Sequence, residues 1–505
     1  MKPELQKLVA LDRERVLVAH IASLLFWDQD THMPSGAEEE RAEQLAWLEG
    51  AAHDKAVNPE VGDLLTALGC TDENPAGDSA LDPDARAFLR VLHRIFSREV
   101  KLPADLVVET AKTQSLGQSA WVRARTDSDF SAFRPHLERM LELKRRAAAC
   151  LDPSRKPYDV LLDLFEPGSD EASIRRVFDP LRGELTALLG RIRSRPQVED
   201  SFLRKTCPKE AQTAASRYFM EVLGYDLARG RLDVTAHPFT TTVGRSDVRI
   251  TTRYDENWFL SSLFSTIHET GHALYDQGVK PPAGYEGTCL ADGASMGIHE
   301  SQSRMWENVI GRSRPFWSRE YPALRAVLGD VLSGVSLEAF LKGINKVEPS
   351  LIRTEADEVT YGLHIILRFE MEADLVSGRL AVRDVPAAWN AKTRELLGIE
   401  PPDDAKGCLQ DVHWSAGLFG YFPSYSLGNL YAAQFVQAMK KDLDPDGRVR
   451  DGDYAAVLGW LRKKIHASGA AFLPDELCLR VTGKPLDASH FVDYLNRKYS
   501  EIYGF

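Results

Sequence analysis

Trp258-Phe-Leu-Ser-Ser-Leu-Phe-Ser-Thr-Ile-His-Glu-Thr-Gly-His-Ala-Leu-Tyr-Asp-Gln-Gly278 carries the strongest signal in this 505-residue chain. Phe259, Leu263, Ile267 and Leu274 recur near a 3.6-residue period and a glycine closes the run, which predicts a buried helix. Inside it, His268-Glu-Thr-Gly-His272 has the H-E-x-x-H spacing. Imidazoles four residues apart on a helix stand one turn apart and about 40° around the axis, so both can converge on one ion. Glu269 points about 100° away from His268, placed to face a water beside that ion rather than to join the ligands.

A catalytic zinc takes three protein ligands and keeps a position for water, so a third donor must come from elsewhere. Gly297-Ile-His-Glu-Ser-Gln-Ser-Arg304 offers two neighbours, Glu300 and His299. They lie about 100° apart on a helix, so only one can face the metal, and the residues alone leave both open with Glu300 ahead.

Outward from this centre, helical periodicity runs through most of the chain, from residues 3 to 26, 36 to 54, 82 to 98, 103 to 125, 128 to 149, 170 to 195, 208 to 226, 256 to 277, 292 to 310, 320 to 333, 336 to 345, 354 to 377, 385 to 397, 427 to 440, 452 to 465 and 488 to 500. An all-α fold is expected. The exception is Pro238–Tyr254, where β-branched residues flank Gly244-Arg-Ser-Asp247 and predict a hairpin directly before the metal helix. Its edge could pair with an extended peptide, or the hairpin could be purely structural. Cys70–Pro83 is the one stretch that reads as a loose linker, so a single domain over residues 1–505 is the simplest division.

Composition narrows the function classes. Apolar residues make up 44% of the chain, enough for a large core that needs no metal as a staple. The formal net charge is −12, and no basic run interleaved with aromatics occurs, which argues against a nucleic-acid partner. Cys70, Cys150, Cys207, Cys289, Cys408 and Cys478 form no C-x-x-C pair, and Asp12-Arg-Glu-Arg15 interrupts any signal-like apolar run. A soluble, cytoplasmic protein without a membrane span is expected.

Several further motifs carry a resemblance. The H-E-x-x-H segment is followed by His299-Glu-Ser-Gln302, Ile352-Arg-Thr-Glu-Ala-Asp357 and Gly407-Cys-Leu-Gln-Asp-Val-His-Trp414, and preceded by Trp27-Asp-Gln-Asp-Thr-His-Met-Pro34 and Asp247-Val-Arg-Ile-Thr251. With Gly420–Asn429 and Thr482–Leu486 in order behind them, the chain resembles the thermostable metallocarboxypeptidase family, also called the carboxypeptidase Taq family, over nearly its whole length. The resemblance implies a helical fold like that of neurolysin and angiotensin-converting enzyme, with a long cleft over one divalent metal, and commonly a homodimer. It also implies Glu300 as the third ligand beside His268 and His272. Zinc suits two histidines and a carboxylate, and cobalt or manganese can occupy similar sites. Two departures stand out: Met33-Pro-Ser-Gly-Ala37 has one glycine where two are expected, and Arg304 stands where relatives in the wider clan carry an aspartate that orients a histidine. Asp357 is the candidate to replace that carboxylate.

Chemistry assigns provisional roles to the rest. Glu269 is the expected general base. Tyr421 and Tyr425, in a glycine-bounded loop, could donate to the developing oxyanion or simply pack. Arg353 could fork a terminal carboxylate of the substrate, or pair with Asp357 four residues on along one helix. His413 could donate to substrate or be a core histidine held by Asp411, and Arg249 could bind substrate or brace its strand through Asp247. The expectation is a carboxypeptidase that releases single residues from free-ended peptides with broad specificity. A dipeptidyl or endo-acting oligopeptidase on the same fold is the enzyme alternative, and a non-catalytic peptide-binding protein with a structural metal is the alternative from another class.

Overall fold

The computed structural model describes residues 1–505, and the chain is mainly helical with one three-stranded sheet. Nearly every expected helix forms within a few residues of its expected bounds. Helices that periodicity passed over include Pro59–Ala67, Pro157–Asp163, Pro445–Arg450 and Pro474–Thr482. All four begin on proline, which is pre-set for the first helical turn, where its missing N–H costs nothing. Each is also short, so its proline reads as a turn signal before any period accumulates.

The chain divides into two compact units, each built from three separate segments. The first comprises Met1–Val100, Glu199–Ile344 and Phe435–Gly483. One of its apolar clusters joins Leu5, Leu8, Leu65, Phe88, Leu89 and Leu290. Cys70 is buried in that cluster, and Asn74 Nδ2 donates to the Gly77 carbonyl at 2.8 Å, so the expected linker is a bonded loop packed on the core. Helix Phe259–Gly278 packs against helix Lys209–Leu223, the sheet and helix Met296–Arg304. It is buried on most sides, and two of its inward hydroxyls are paired: Ser262 Oγ donates to Gln212 Oε1 at 2.7 Å and Thr266 Oγ1 to Ser216 Oγ at 3.0 Å.

The expected hairpin forms from β2 (Thr240–Gly244) and β3 (Asp247–Thr252), antiparallel, with Thr240 opposite Ile250 and Thr242 opposite Val248. A third strand that patterning missed, β1 (Leu232–Val234), pairs with β3 in parallel, giving the order β1-β3-β2. Three residues are too few to show alternation. The register shifts between Thr242 and Gly244, a bulge that ends the regular part of β2.

The second unit comprises Lys101–Val198, Asn345–Gln434 and Lys484–Phe505. At its centre lies helix Glu358–Ser377, buried along most of its length, with Phe369 against Tyr158 and Phe178. Burial of Arg368 and Glu372 inside such a helix demands partners, since an unpaired interior charge is prohibitive. Glu372 accepts hydrogen bonds from Tyr158 Oη, Trp414 Nε1 and Gly420 N, at 3.0, 3.0 and 2.9 Å. The six cysteines are free thiols, and no helix is long and apolar enough to cross a membrane.

Candidate metal centre

Gly271 determines how the centre is assembled. A Cβ there would stand 2.6 Å from Ser303 Cα and 2.8 Å from the Gln302 carbonyl oxygen, so the two helices cross where no side chain fits. That crossing brings Glu300 to the two histidines. Ligand atoms of His268, His272 and Glu300 all lie within 4.8 Å of one another. Glu300 Oε2 is 3.4 Å from His272 Nε2 and 3.6 Å from His268 Nε2.

The far side of each group is occupied. His268 Nδ1 pairs with Glu307 Oε2 at 2.9 Å, and His272 Nδ1 with His299 Nδ1 at 2.5 Å. Glu300 Oε1 accepts from Arg304 Nε at 2.7 Å. Both Nε2 atoms and Oε2 are therefore the ends that converge. Burial works against ionising Glu300, but the Arg304 guanidinium and the two histidines override it and hold the carboxyl well below the usual range. Two imidazoles and an ionised carboxylate, each oriented from behind, fit a divalent cation.

His299 is turned elsewhere. Its Nε2 pairs with Asp276 Oδ1 at 2.9 Å, so both its nitrogens are engaged and the facing position belongs to Glu300. Glu269 is buried beside the histidines, and Thr240 Oγ1 on β2 donates to its Oε2 at 2.6 Å.

Asp357 does not serve as the carboxylate behind a histidine. Its Oδ1 caps helix Glu358–Ser377 by accepting from Val359 N and Thr360 N, both at 2.9 Å, and Oδ2 accepts from Thr360 Oγ1 at 2.6 Å. Glu307 does that work instead. It sits seven residues past Glu300, on a π-helical turn Met305–Ile310 that continues helix Met296–Arg304, and Arg304 bridges Glu300 and Glu307. This carboxylate stands three residues beyond Arg304. Burial opposes its charge too, yet Arg304 and His268 bring it down to about 2.

The remaining candidates cluster in the second unit. Arg353 lies on a separate 3-10 turn, Arg353–Glu355, because Asp357 caps the next helix at its own position. The alternative pairing of Arg353 with Asp357 along one helix is therefore absent. Arg353 Nε and Nη2 instead donate to Asp411 Oδ1 at 3.1 and 2.8 Å, and Nη1 to Tyr361 Oη at 3.2 Å. Arg368, fully buried, holds the other oxygen, Asp411 Oδ2, and also Gln410 Oε1. Two guanidiniums thus share one carboxylate, which they hold far below its usual range despite burial. Burial together with this positive charge keeps His413 neutral, its pKa down at about 4, and His364 at about 3.

His413 Nε2 bonds to Tyr425 Oη at 3.1 Å, while Nδ1 is 3.8 Å from Asp411 Oδ1, too long for a hydrogen bond. Tyr425, rather than Asp411, orients this ring. Tyr425 also lies under the Arg353 guanidinium, 4.8 Å from Cζ to ring centroid, and Tyr421 is edge-on to it at 5.2 Å. Helix Phe422–Asp442 begins earlier than periodicity indicated, so Tyr421 just precedes the helix and Tyr425 stands in its first turn instead of in a free loop.

Back in the first unit, Arg249 forks Asp247 with Nε and Nη2 at 2.8 and 2.7 Å and stacks 4.1 Å over the Trp27 ring. These contacts brace β3 on the opening motif.

Residues 7–499 match the model of the family described as carboxypeptidase Taq (M32) metallopeptidase. The chain is 42% identical to thermostable carboxypeptidase 1 of Thermus thermophilus over the full length of both, and 40% identical to carboxypeptidase 1 of Bacillus subtilis over 95% of each. Its fold is similar to that of the M32 carboxypeptidase from Deinococcus radiodurans, with a TM-score of 0.95 at 38% identity and full coverage of both chains. The convergent histidines and glutamate and these full-length similarities lead to one conclusion: the chain belongs to the carboxypeptidase Taq (M32) metallopeptidase family and is a metal-dependent carboxypeptidase.

Proposed function

We propose that residues 1–505 act as one metallocarboxypeptidase domain, cytoplasmic and homodimeric, that removes single residues from the free carboxyl end of peptides with broad side-chain tolerance. The observation that carries the chemistry is the convergence of His268, His272 and Glu300, with the carboxylate of Glu269 buried beside them. The donor set favours Zn2+, with Co2+ or Mn2+ able to substitute. When bound, the metal supplies Lewis acidity that lets water lose a proton near neutral pH and polarises a peptide carbonyl.

The chain's own residues do the rest. Glu269 takes the proton from the attacking water and returns one to the leaving amine. Tyr421 or Tyr425 donates to the oxygen on which negative charge develops. Arg353 receives the terminal carboxylate, and the neutral His413 lends a donor. This role for Arg353 is supported by charge: two guanidiniums against the single carboxylate of Asp411 leave this cluster with a net positive charge that an anion would balance. With Nε committed to Asp411, the further hydrogens of Nη1 and Nη2 are the ones available to the substrate.

Mass spectrometry of the products from a mixed peptide pool tests the reaction: single free amino acids are expected, and dipeptides or internal cuts would overturn the exopeptidase assignment. Metal analysis of the same preparation should find zinc, and its mass in solution should be that of two chains. The terminal-carboxylate role has its own test. Arg353→Ala should lose about 2 to 4 kcal/mol in kcat/KM on free-ended peptides. Arg368 stays on Asp411, so that carboxylate is not orphaned and the fold should survive. Peptides amidated at the carboxyl end should be poor substrates and lose little more. Equal losses on both would make Arg353 a structural partner of Asp411.

A further inference from the structure

Strand β2 touches the centre at two points, and both are threonine hydroxyls. Alternation along a strand puts Thr240 and Thr242 on one face. Glu269 and Asp276, seven residues apart on helix Phe259–Gly278, share a helical face two turns apart. The hydroxyls meet the carboxylates one to one: Thr240 Oγ1 lies 2.6 Å from Glu269 Oε2, and Thr242 Oγ1 lies 2.7 Å from Asp276 Oδ2. Thr240 Oγ1 is also 3.1 Å from the Glu269 carbonyl, but a hydroxyl has one proton to give and the carboxylate is nearer.

Asp276 reaches further. Its other oxygen meets His299 Nε2, and His299 Nδ1 meets His272 Nδ1. A histidine that offers Nε2 to a metal must carry its proton on Nδ1. His272 then donates to His299 Nδ1, which obliges His299 to hold its own proton on Nε2 and give it to Asp276. The chain from Thr242 through Asp276 and His299 to His272 is satisfied at every contact in that tautomer.

We propose that β2 is the orienting strand of the centre: Thr240 fixes the carboxylate of Glu269, and Thr242, acting through Asp276 and His299, fixes the ring of His272. These are positioning residues, and their assignment rests on the reading of Glu269 as base and His272 as ligand. The two histidines are then oriented by different devices. Glu307 grips His268 directly, whereas His272 is tied to the sheet by a relay. The register of β2 shifts immediately after Thr242, once both contacts are made.

The halves of the proposal separate experimentally. Thr240→Val keeps the shape and the strand preference but removes the donor. Its affinity for Zn2+, titrated into metal-stripped protein against a chromophoric chelator, should stay within about twofold of the parent, while kcat falls roughly ten- to a hundredfold with little change in KM. Thr240→Ser should recover most of that loss. Asp276→Asn should weaken Zn2+ binding roughly ten- to a hundredfold, and Thr242→Val by a smaller factor in the same direction. Parent kcat in Thr240→Val, or a Thr240→Ser as impaired as the valine variant, overturns the first half; parent Zn2+ affinity in Asp276→Asn overturns the second. Glu269→Gln run in parallel keeps the two readings apart. If it is inert while Thr240→Val is normal, the strand's role alone fails, and if it turns over normally the base assignment fails and the Thr240 half with it.

Discussion

Glu269→Gln should keep its fold and its metal while kcat falls roughly a hundredfold or more, the scale of losing a general base. The side chain is isosteric, and its carboxylate is not among the three groups whose ligand atoms converge. Thr240 Oγ1 can still donate to the amide oxygen, so that contact is kept. Elemental analysis and the melting temperature should match the parent, so that the deficit is confined to turnover. A variant with near-normal kcat would remove Glu269 from the mechanism.

Glu300→Ala should strip the metal and abolish activity, because two imidazoles alone make a poor site for a divalent ion. The fold has a reserve here, since Arg304, which loses its bond to Oε1, still donates to Glu307 at 3.2 Å. His299→Ala should behave differently. It breaks the relay to His272 without removing a ligand, so metal should bind on the order of tenfold more weakly and remain saturable. Elemental analysis after dialysis reads both variants. Metal retained in Glu300→Ala and lost from His299→Ala would transfer the third ligand to His299.

What the sequence made legible follows from the reach of its signals. The H-E-x-x-H pair is local, so helical angles alone set His268 and His272 together and Glu269 aside. The neighbouring pair His299 and Glu300 could be narrowed to one ligand but not assigned, because the assignment depends on which face meets Gly271, a close approach that only the packed helices define. Glu307 is hidden because the spacing points to the fourth residue after Glu300, which is Arg304, whereas the seventh residue also shares that face. The carboxylate that holds Arg353 is hidden for another reason. Its partner Asp411 is 58 residues away, and no periodicity couples a 3-10 turn to a distant loop. Thr240 and Thr242 looked like strand formers, and nothing in a run of three threonines says that two of them hold carboxylates on another element.

The interleaving of the two units has a consequence for biosynthesis. The first unit takes in residues up to Gly483 and the second residues up to Phe505, so during translation neither can close its core while the ribosome still holds those segments. The metal ligands at 268, 272 and 300 emerge long before the last part of their own unit. Until residues 435–483 arrive, the first unit is an unfinished core with exposed apolar surface, the state most open to aggregation and most in need of a chaperone. Its many sequence-distant pairings also favour slow folding. Cutting the chain into its two units at any single point is impossible, and truncation near residue 434 removes a whole segment from each.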